Sequence, residues 1–135
     1  MRRVFLVSLL VAGSLVAQQL GDGTVYAGQP GAIEYNGHGG LATSAELDFP
    51  WGLASDSKGN LYIADSGNNR VREVFAANGD ITTFAGNGGT GIGISLLTYN
   101  GQPATSVELP TPTAVAVDGS DNVYIYVPGP RLSRR

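Results

Sequence analysis

The chain repeats itself, and no other feature limits its possible folds so strongly. Thr24-Val25-Tyr26-Ala27-Gly28 matches Thr82-Thr83-Phe84-Ala85-Gly86. Tyr35-Asn36-Gly37 matches Tyr99-Asn100-Gly101, and Ala42-Thr43-Ser44-Ala45-Glu46-Leu47 matches Ala104-Thr105-Ser106-Val107-Glu108-Leu109. Pro50 matches Pro112, Leu53-Ala54-Ser55-Asp56 matches Val115-Ala116-Val117-Asp118, and Asn60-Leu61-Tyr62-Ile63 matches Asn122-Val123-Tyr124-Ile125. The offset moves from 58 to 64 and settles at 62. The joining loops therefore differ in length while the short β-prone runs do not, the mark of a repeated structural unit plus a long connector.

Within one unit a shorter rhythm appears. Trp51-Gly52-Leu53-Ala54, Leu61-Tyr62-Ile63-Ala64, Val71 to Ala76 and Ile81-Thr82-Thr83-Phe84 are short β-prone runs starting about ten residues apart. Asp56-Ser57-Lys58-Gly59-Asn60, Asp65-Ser66-Gly67-Asn68-Asn69 and Asn78-Gly79-Asp80 separate them. Such breaks hold the residues that tolerate positive φ in tight turns. Four strands so joined make one antiparallel meander. The first two runs are apolar on successive residues, which predicts cover on both faces. The third alternates poorly and the fourth carries Thr82 and Thr83, which predicts a wetter, outer position. That gradient is what a propeller blade needs.

The predicted fold is all-β: a partial β-propeller of about two four-stranded antiparallel blades, one complete and one half, with Gly-rich connectors. The complete blade covers 51–86, the half-blade 113–127, and 24–28 is the end of a preceding blade. Residues 18–127 form the propeller fragment. In 128–135 the pattern stops, and Pro128 and Pro130 oppose strand continuation, so this segment is an irregular tail.

Composition narrows the partners. Only Lys58, Arg70 and Arg72 among the eight basic residues lie in the body of a chain of net charge −3. Three cations are too few to track a phosphate backbone, which excludes nucleic acid. There is no cysteine, hence no disulfide framework, thiolate metal site or acylated Cys. At the N-terminus, Arg2 and Arg3 precede the apolar run Val4 to Val16, and Ala17 precedes Gln18-Gln19. This order predicts a signal peptide over 1–17 and a secreted or periplasmic protein with no stable membrane anchor after cleavage. The apolar run is shorter than the roughly 18 residues that span a bilayer.

The segment from Pro50-Trp51-Gly52-Leu53-Ala54 through Gly59-Asn60-Leu61-Tyr62-Ile63-Ala64-Asp65 to Asn68-Asn69-Arg70-Val71 resembles an NHL repeat. The family pattern runs Pro-x-Gly-Val-Ala-Val-Asp, then Gly-Asn-apolar-Tyr-Val-Ala-Asp, then Asn-His-Arg-Ile. Asn69 stands where the family often has His, and Ser55 where it often has Val. The connector Gly-Gly-x-Ala-Thr-Ser-Ala-x-Leu resembles those of bacterial secreted members. The likeness spans about 24–127 and is strong over 50–86, while the second copy lacks the Asp and Asn-x-Arg signature. It implies Asp56, Gly59, Asn60, Asp65, Asn68, Asn69 and Arg70 as the structural signature of the repeat.

Candidate chemistry is sparse. Asp65 and Arg70 flank one turn and read as a turn-locking salt bridge, with Asn68 supplying backbone hydrogen bonds, rather than a ligand pair. Asp56 to Asn60 and Asp118 to Asn122 mix carboxylates and amides but lack the ligand spacing of a calcium loop, and read as hairpin turns. His38 is the sole histidine, which is no basis for a metal site. Ala42 to Leu47 and Ala104 to Leu109 predict one helical turn each, capped by Thr or Ser and packed between blades. Trp51 reads either as a binding aromatic or as a core or channel-rim residue. No catalytic residue, metal site or cofactor is expected.

The function expected is a secreted, non-catalytic binding or scaffold module, part of a larger propeller, with an unidentified protein or small-molecule ligand. The alternative is the remnant of a lyase or gluconolactonase-like propeller enzyme without a complete active site. Open blade edges add self-association as an expectation.

Overall fold

The structure is a computed structural model, and it describes residues 5–9, 15–19, 26–29, 35–36, 38–91 and 101–129. The sequence matches at Thr24, Val25, Gly37, Tyr99 and Asn100, and the tail beyond Gly129, lie outside these residues. Among the described residues nine strands are present: β1 (Phe5–Leu9), β2 (Leu15–Gln19), β3 (Gly40–Leu41), β4 (Pro50–Ser55), β5 (Leu61–Asp65), β6 (Arg70–Val74), β7 (Asp80–Ala85), β8 (Ala114–Val117) and β9 (Val123–Tyr126). Short 3-10 turns occur at Ala42–Ser44, Ser66–Asn68 and Ala104–Ser106.

The chain is all-β, as expected. Strands β4 to β7 form the predicted meander, antiparallel at every step. The sheet has five strands rather than four, in the order β3-β7-β6-β5-β4, because the connector lays Gly40–Leu41 against β7. The outer strand of the blade is thus partly covered by the connector that precedes it. β8 and β9 form the half-blade, and β1 pairs with β2 in a separate hairpin.

Alternation of side chains across the sheet gives the complete blade two apolar faces. One face holds Ile63, Val74 and Ile81 with Leu53 and Leu61, and meets Ala27, Ala42, Ala45 and Leu47 of the preceding segment. The other holds Tyr62, Ala64, Val71, Phe84 and Ala85, and meets Val115, Val117, Val123 and Ile125 of the half-blade with Leu109. Tyr62 and Phe84 make an edge-to-face pair with ring centroids 4.9 Å apart. The prediction of cover on both faces holds best for β5, where Tyr62 to Asp65 are all buried.

The wetter third strand does not hold. β6 is an interior strand of the sheet, and Val71, Arg72 and Val74 are all buried. The poor alternation of this strand is a buried arginine, not a solvent edge.

The repeat is visible bond by bond. Gly28 and Gln29 donate their amides to the carbonyls of Ala42 and Ala45 at 2.9 and 2.8 Å. Gly86 and Asn87 donate to Ala104 and Val107, both at 2.9 Å. In each unit a Gly-led pair, Gly28–Gln29 or Gly86–Asn87, therefore clamps the following connector turn. These turns are predicted correctly, but not their caps: Leu41 and Pro103 occupy the cap positions, and neither turn has a side-chain cap bond. In the first turn the Ala42 N–H, which a capping oxygen could have taken, is donated to the Gly79 carbonyl at 2.8 Å instead.

Candidate functional site

The predicted signature residues fall at the two ends of β5. Asp56, Gly59 and Asn60 form the β4–β5 turn. The Asp56 carboxylate accepts from the Asn60 amide N–H (2.9 Å), the Asn60 side-chain amide (2.8 Å), the Lys58 N–H (3.0 Å) and the Tyr62 hydroxyl (3.3 Å). Burial pushes the Asp56 carboxyl up, but these bonds outweigh it and hold it below the usual carboxylate range. Gly59 sits at φ +86°, a conformation that costs glycine little.

The half-blade rebuilds this turn atom for atom. Asp118 accepts from the Asn122 N–H (2.9 Å), the Asn122 side-chain amide (2.9 Å), the Ser120 N–H (2.9 Å) and the Tyr124 hydroxyl (3.0 Å). The Asn122, Ser120 and Tyr124 bonds hold the Asp118 carboxyl down at about 2. Asp121, at φ +61°, takes the place of Gly59 and reaches across to the first turn. It accepts from the Ser57 N–H at 2.9 Å and the Ser57 hydroxyl at 2.7 Å. Every acidic oxygen pair in the two turns is thus occupied by turn donors, as the hairpin reading predicts.

At the other end of β5, Asp65 is fully buried and accepts from the Asp48 N–H (2.8 Å) and from the Asn68 side-chain amide at both oxygens (3.0 Å each). Here the predicted ion pair needs correction. The guanidinium facing Asp65 belongs to Arg72, 3.5 Å away and also fully buried. Arg70 is the cross-strand neighbour of Asp65 in the backbone register, but its side chain turns outward along the connector. It donates to the carbonyls of Asn68 (2.9 Å) and Asn87 (2.8 Å) and lies 3.8 Å over the Tyr35 ring. Asn68 thus serves the turn twice: its backbone carbonyl takes the Arg70 bond, and its side-chain amide adds the bonds to the Asp65 carboxylate.

Arg72 is the residue that sequence reading missed. Its side chain also lies against Tyr35, 4.9 Å from the ring centroid, and its three nitrogens make no well-formed hydrogen bond. The contact with Asp65 is therefore ionic rather than a directed bond. Desolvation pushes the two groups in opposite directions: it raises the Asp65 carboxyl to about 6 and lowers the Arg72 guanidinium, each only partly offset by the other. The signal available in the sequence was Arg72 directly after Val71 and two residues before Val74, in a β-prone run.

The rest of the signature binds connectors. Asn69, at φ +53°, accepts from the Thr111 N–H at 2.8 Å and donates to the Gly88 carbonyl at 3.4 Å. The buried Ser66 hydroxyl donates to the Pro112 carbonyl. Gly67 donates its amide to the Asp48 carbonyl, and a side chain there would strike the Asp48 carboxylate. Asp65 and Gly67 thus hold the connector before the blade, while Ser66, Asn69 and Arg70 hold the one after it. The signature is a double brace that lets short strands carry long loops.

What is left for ligands is the rim beside that brace. Trp51 is 71% exposed and Phe49 59% exposed at the start of the innermost strand, which removes the core placement considered for Trp51. Phe49 has φ +43°, unusual for an aromatic residue. The pairing of β4 with β5 shifts register between Pro50 and Leu53, so a bulge re-aims this strand end. Thr111 repeats the positive φ at the equivalent place, with φ +50°, and Thr113 stands at the Trp51 position. The backbone shape belongs to the repeat; the aromatic pair belongs to the complete blade alone. His38 is exposed, and its Nδ1 accepts from the Thr83 N–H at 3.2 Å. Among the described residues no three His, Cys, Asp or Glu side chains gather as a metal group would need, and no helix is long and apolar enough to cross a membrane.

A four-stranded meander, packed face to face on the next unit with its inner strand beside the next inner strand, is a β-propeller blade. The family model for the NHL repeat matches residues 47–73, the segment from Leu47 through the signature turn. Residues 47–73 are thus an NHL repeat. It is similar to Teneurin-1 of Caenorhabditis elegans, 51% identical over 51 residues, which is 38% of this chain and 2% of that protein. It is also similar to Teneurin-1 of Gallus gallus, 35% identical over 91 residues, 67% of this chain and 3% of that protein. Two solved structures from Bacteroides thetaiotaomicron share its fold. One, a protein of unknown function, superposes with a TM-score of 0.64 at 18% identity, over 93% of this chain and 30% of its own. The other, an auxiliary nutrient binding protein, gives 0.62 at 18% identity, over 91% of this chain and 32% of its own. The chain therefore spans a small part of each of these proteins.

Proposed function

We propose that this chain is a non-catalytic binding module: a piece of an NHL propeller that presents an aromatic rim to a ligand, in a secreted or periplasmic protein whose residues 1–17 are its export signal. The observation that carries the reading is the exposed Phe49–Trp51 pair, set on a bulged strand end where the backbone holds it outward. An exposed aromatic pair offers flat apolar area at little conformational cost. The signature carboxylates and amides, by contrast, are taken up by the braces and turns. A structure with the same fold is an auxiliary nutrient binding protein, and the uncharged aromatic pair makes neutral solutes the first class to try. The enzyme alternative would draw on converging histidines and carboxylates, and His38 is the sole histidine of the sequence.

Trp51 is the sole tryptophan, so intrinsic fluorescence reads this rim directly. The full chain is titrated with neutral oligosaccharides and, separately, with an uncharged peptide mixture. The reading expects a saturable change in Trp51 emission with one of these probes, reduced at least tenfold in affinity by Phe49→Ser. Emission that stays flat with every probe, or binding that Phe49→Ser leaves intact, contradicts it. For export, expression with and without residues 1–17 compares the medium and periplasm with the cytoplasm; equal distribution of both forms contradicts that part.

A further inference from the structure

The half-blade exposes the face that the complete blade buries. In the complete blade Tyr62 and Ala64 are buried, and Ala54 lies beside them, beneath Val115, Val117, Val123 and Ile125. The equivalent residues of the half-blade are Ala116, Tyr124 and Tyr126, and all three are exposed, Tyr124 by 58% and Tyr126 by 61%. The residues equivalent to the covering set are Leu53, Ser55, Leu61 and Ile63, on the opposite side of the complete blade. Of these, Ser55 is exposed and Leu53 and Leu61 are only partly buried. One chain thus carries both halves of a blade-to-blade interface, on faces that cannot meet each other.

We propose that the Ala116–Tyr124–Tyr126 face receives the Leu53–Ser55–Leu61 face of a second copy of this chain, head to tail. The contact continues an interface already built within the chain, between two units of the same repeat, and neither residue set carries a charge. The incoming copy also brings a matching outer segment. Tyr26 to Gly28 lead into the Gly28–Gln29 clamp as Phe84 to Gly86 lead into the Gly86–Asn87 clamp. In the assembly they take the place beside the half-blade that Phe84 to Gly86 take in the complete blade. The Tyr62–Phe84 edge-to-face pair then recurs between Tyr124 of one copy and Tyr26 of the next. Because the two faces differ, the association is heterologous and continues from copy to copy, as a ring or a filament.

Light scattering on the full chain, eluting from a size-exclusion column across a dilution series, reads the mass against 13.9 kDa for one copy. The expected result is a mass of several copies that falls on dilution. Tyr126→Glu blocks one face and Ser55→Arg the other. Both residues are exposed, so the fold is retained, which far-UV circular dichroism checks; Leu53→Gln is the second receiving-face variant. Each variant alone is expected at single-copy mass, and the mixture of Tyr126→Glu with Ser55→Arg at twice that mass and no more. A single-copy mass for the unmodified chain at every concentration overturns the proposal, as expected if these faces only ever meet further blades of a longer polypeptide. An assembly that Tyr126→Glu abolishes but Ser55→Arg and Leu53→Gln do not touch overturns it in favour of symmetric pairing through the tyrosines. Assembly unaffected by any variant also overturns it.

Discussion

Gly52 of the complete blade runs so close to Ala114 of the half-blade that a β-carbon on Gly52 would stand 2.7 Å from the Ala114 α-carbon and 3.0 Å from the Thr113 carbonyl oxygen. These are equivalent positions of the repeat, so the inner strands of successive units meet through their smallest residues. Backbone cannot yield as a flexible side chain can. Gly52→Ala is therefore expected to destabilise the chain by about 1–3 kcal/mol, the usual cost of overpacking. Urea unfolding followed by Trp51 fluorescence measures it. An unchanged midpoint contradicts the close approach.

Asp65 and Arg72 are expected to behave as one unit. Asp65→Asn leaves the buried guanidinium without its counter-charge but also removes the desolvation cost that holds the carboxyl up at about 6, so its net cost is expected below the about 3–5 kcal/mol of breaking a fully compensated buried pair. The double variant Asp65→Asn with Arg72→Met removes the stranded charge and is expected to recover more than half of that loss. A double variant as unstable as the sum of its parts in urea unfolding contradicts the pairing.

The pH dependence has a definite sign. Burial raises the Asp65 carboxyl from 3.8 to about 6, against the pull of the Asp48 N–H, Asn68 and Arg72. Between those values the folded chain holds more protons than the unfolded chain. The contribution of Asp65 is thus complete below pH about 4 and is lost as pH rises through about 6. Asp118 runs the other way. Hydrogen bonds from Asn122, Ser120 and Tyr124 hold it at about 2, so its contribution is present above pH about 4 and lost as pH falls toward 2. Urea midpoints are measured across this range. The Asp65→Asn with Arg72→Met double variant should lose the decline between pH 4 and 6, and Asp118→Asn should soften the fall below 4. A decline that persists in the double variant contradicts the assignment to Asp65.

Asp121 joins the two turns by its bonds to Ser57 while standing at a left-handed φ of +61°. Asp121→Ala loses both bonds and keeps the unfavourable backbone, for an expected cost of about 1–2 kcal/mol. Asp121→Gly loses the bonds but relieves the backbone, so it should cost less. Thermal unfolding of the two variants ranks them, and the reverse order contradicts this account of the turn.

Much of the fold is written in the runs and turns themselves. The ten-residue rhythm places β4 to β7, and the match of Asp56-Asn60 to Asp118-Asn122 places the half-blade strands. What escapes is decided by neighbours far along the chain. The Gly79 carbonyl, which accepts from the Ala42 N–H, stands in for the hydroxyl caps that Thr43 and Ser44 suggest. Arg72 pairs with Asp65 because both side chains leave the same face of adjacent strands, a relation that needs the register of β5 on β6. Gly40–Leu41 joins the sheet through two residues, too few to register as a strand. For the site, the signature residues were legible as structural, whereas the outward setting of Trp51 depends on the bulge after Pro50, which the sequence does not mark.

Two copies of one repeat are folded in the same way and clamp their connectors by the same bonds. Native-state hydrogen exchange on the full chain tests it residue by residue. The account predicts protection, relative to an unfolded chain, at both members of each equivalent amide pair: Gly28 with Gly86, Gln29 with Asn87, and Asn60 with Asn122. Exchange at the unfolded rate for Gly86, Asn87 and Asn122, with the complete blade protected, would contradict it, because the half-blade would then not be folded as a copy of the blade beside it.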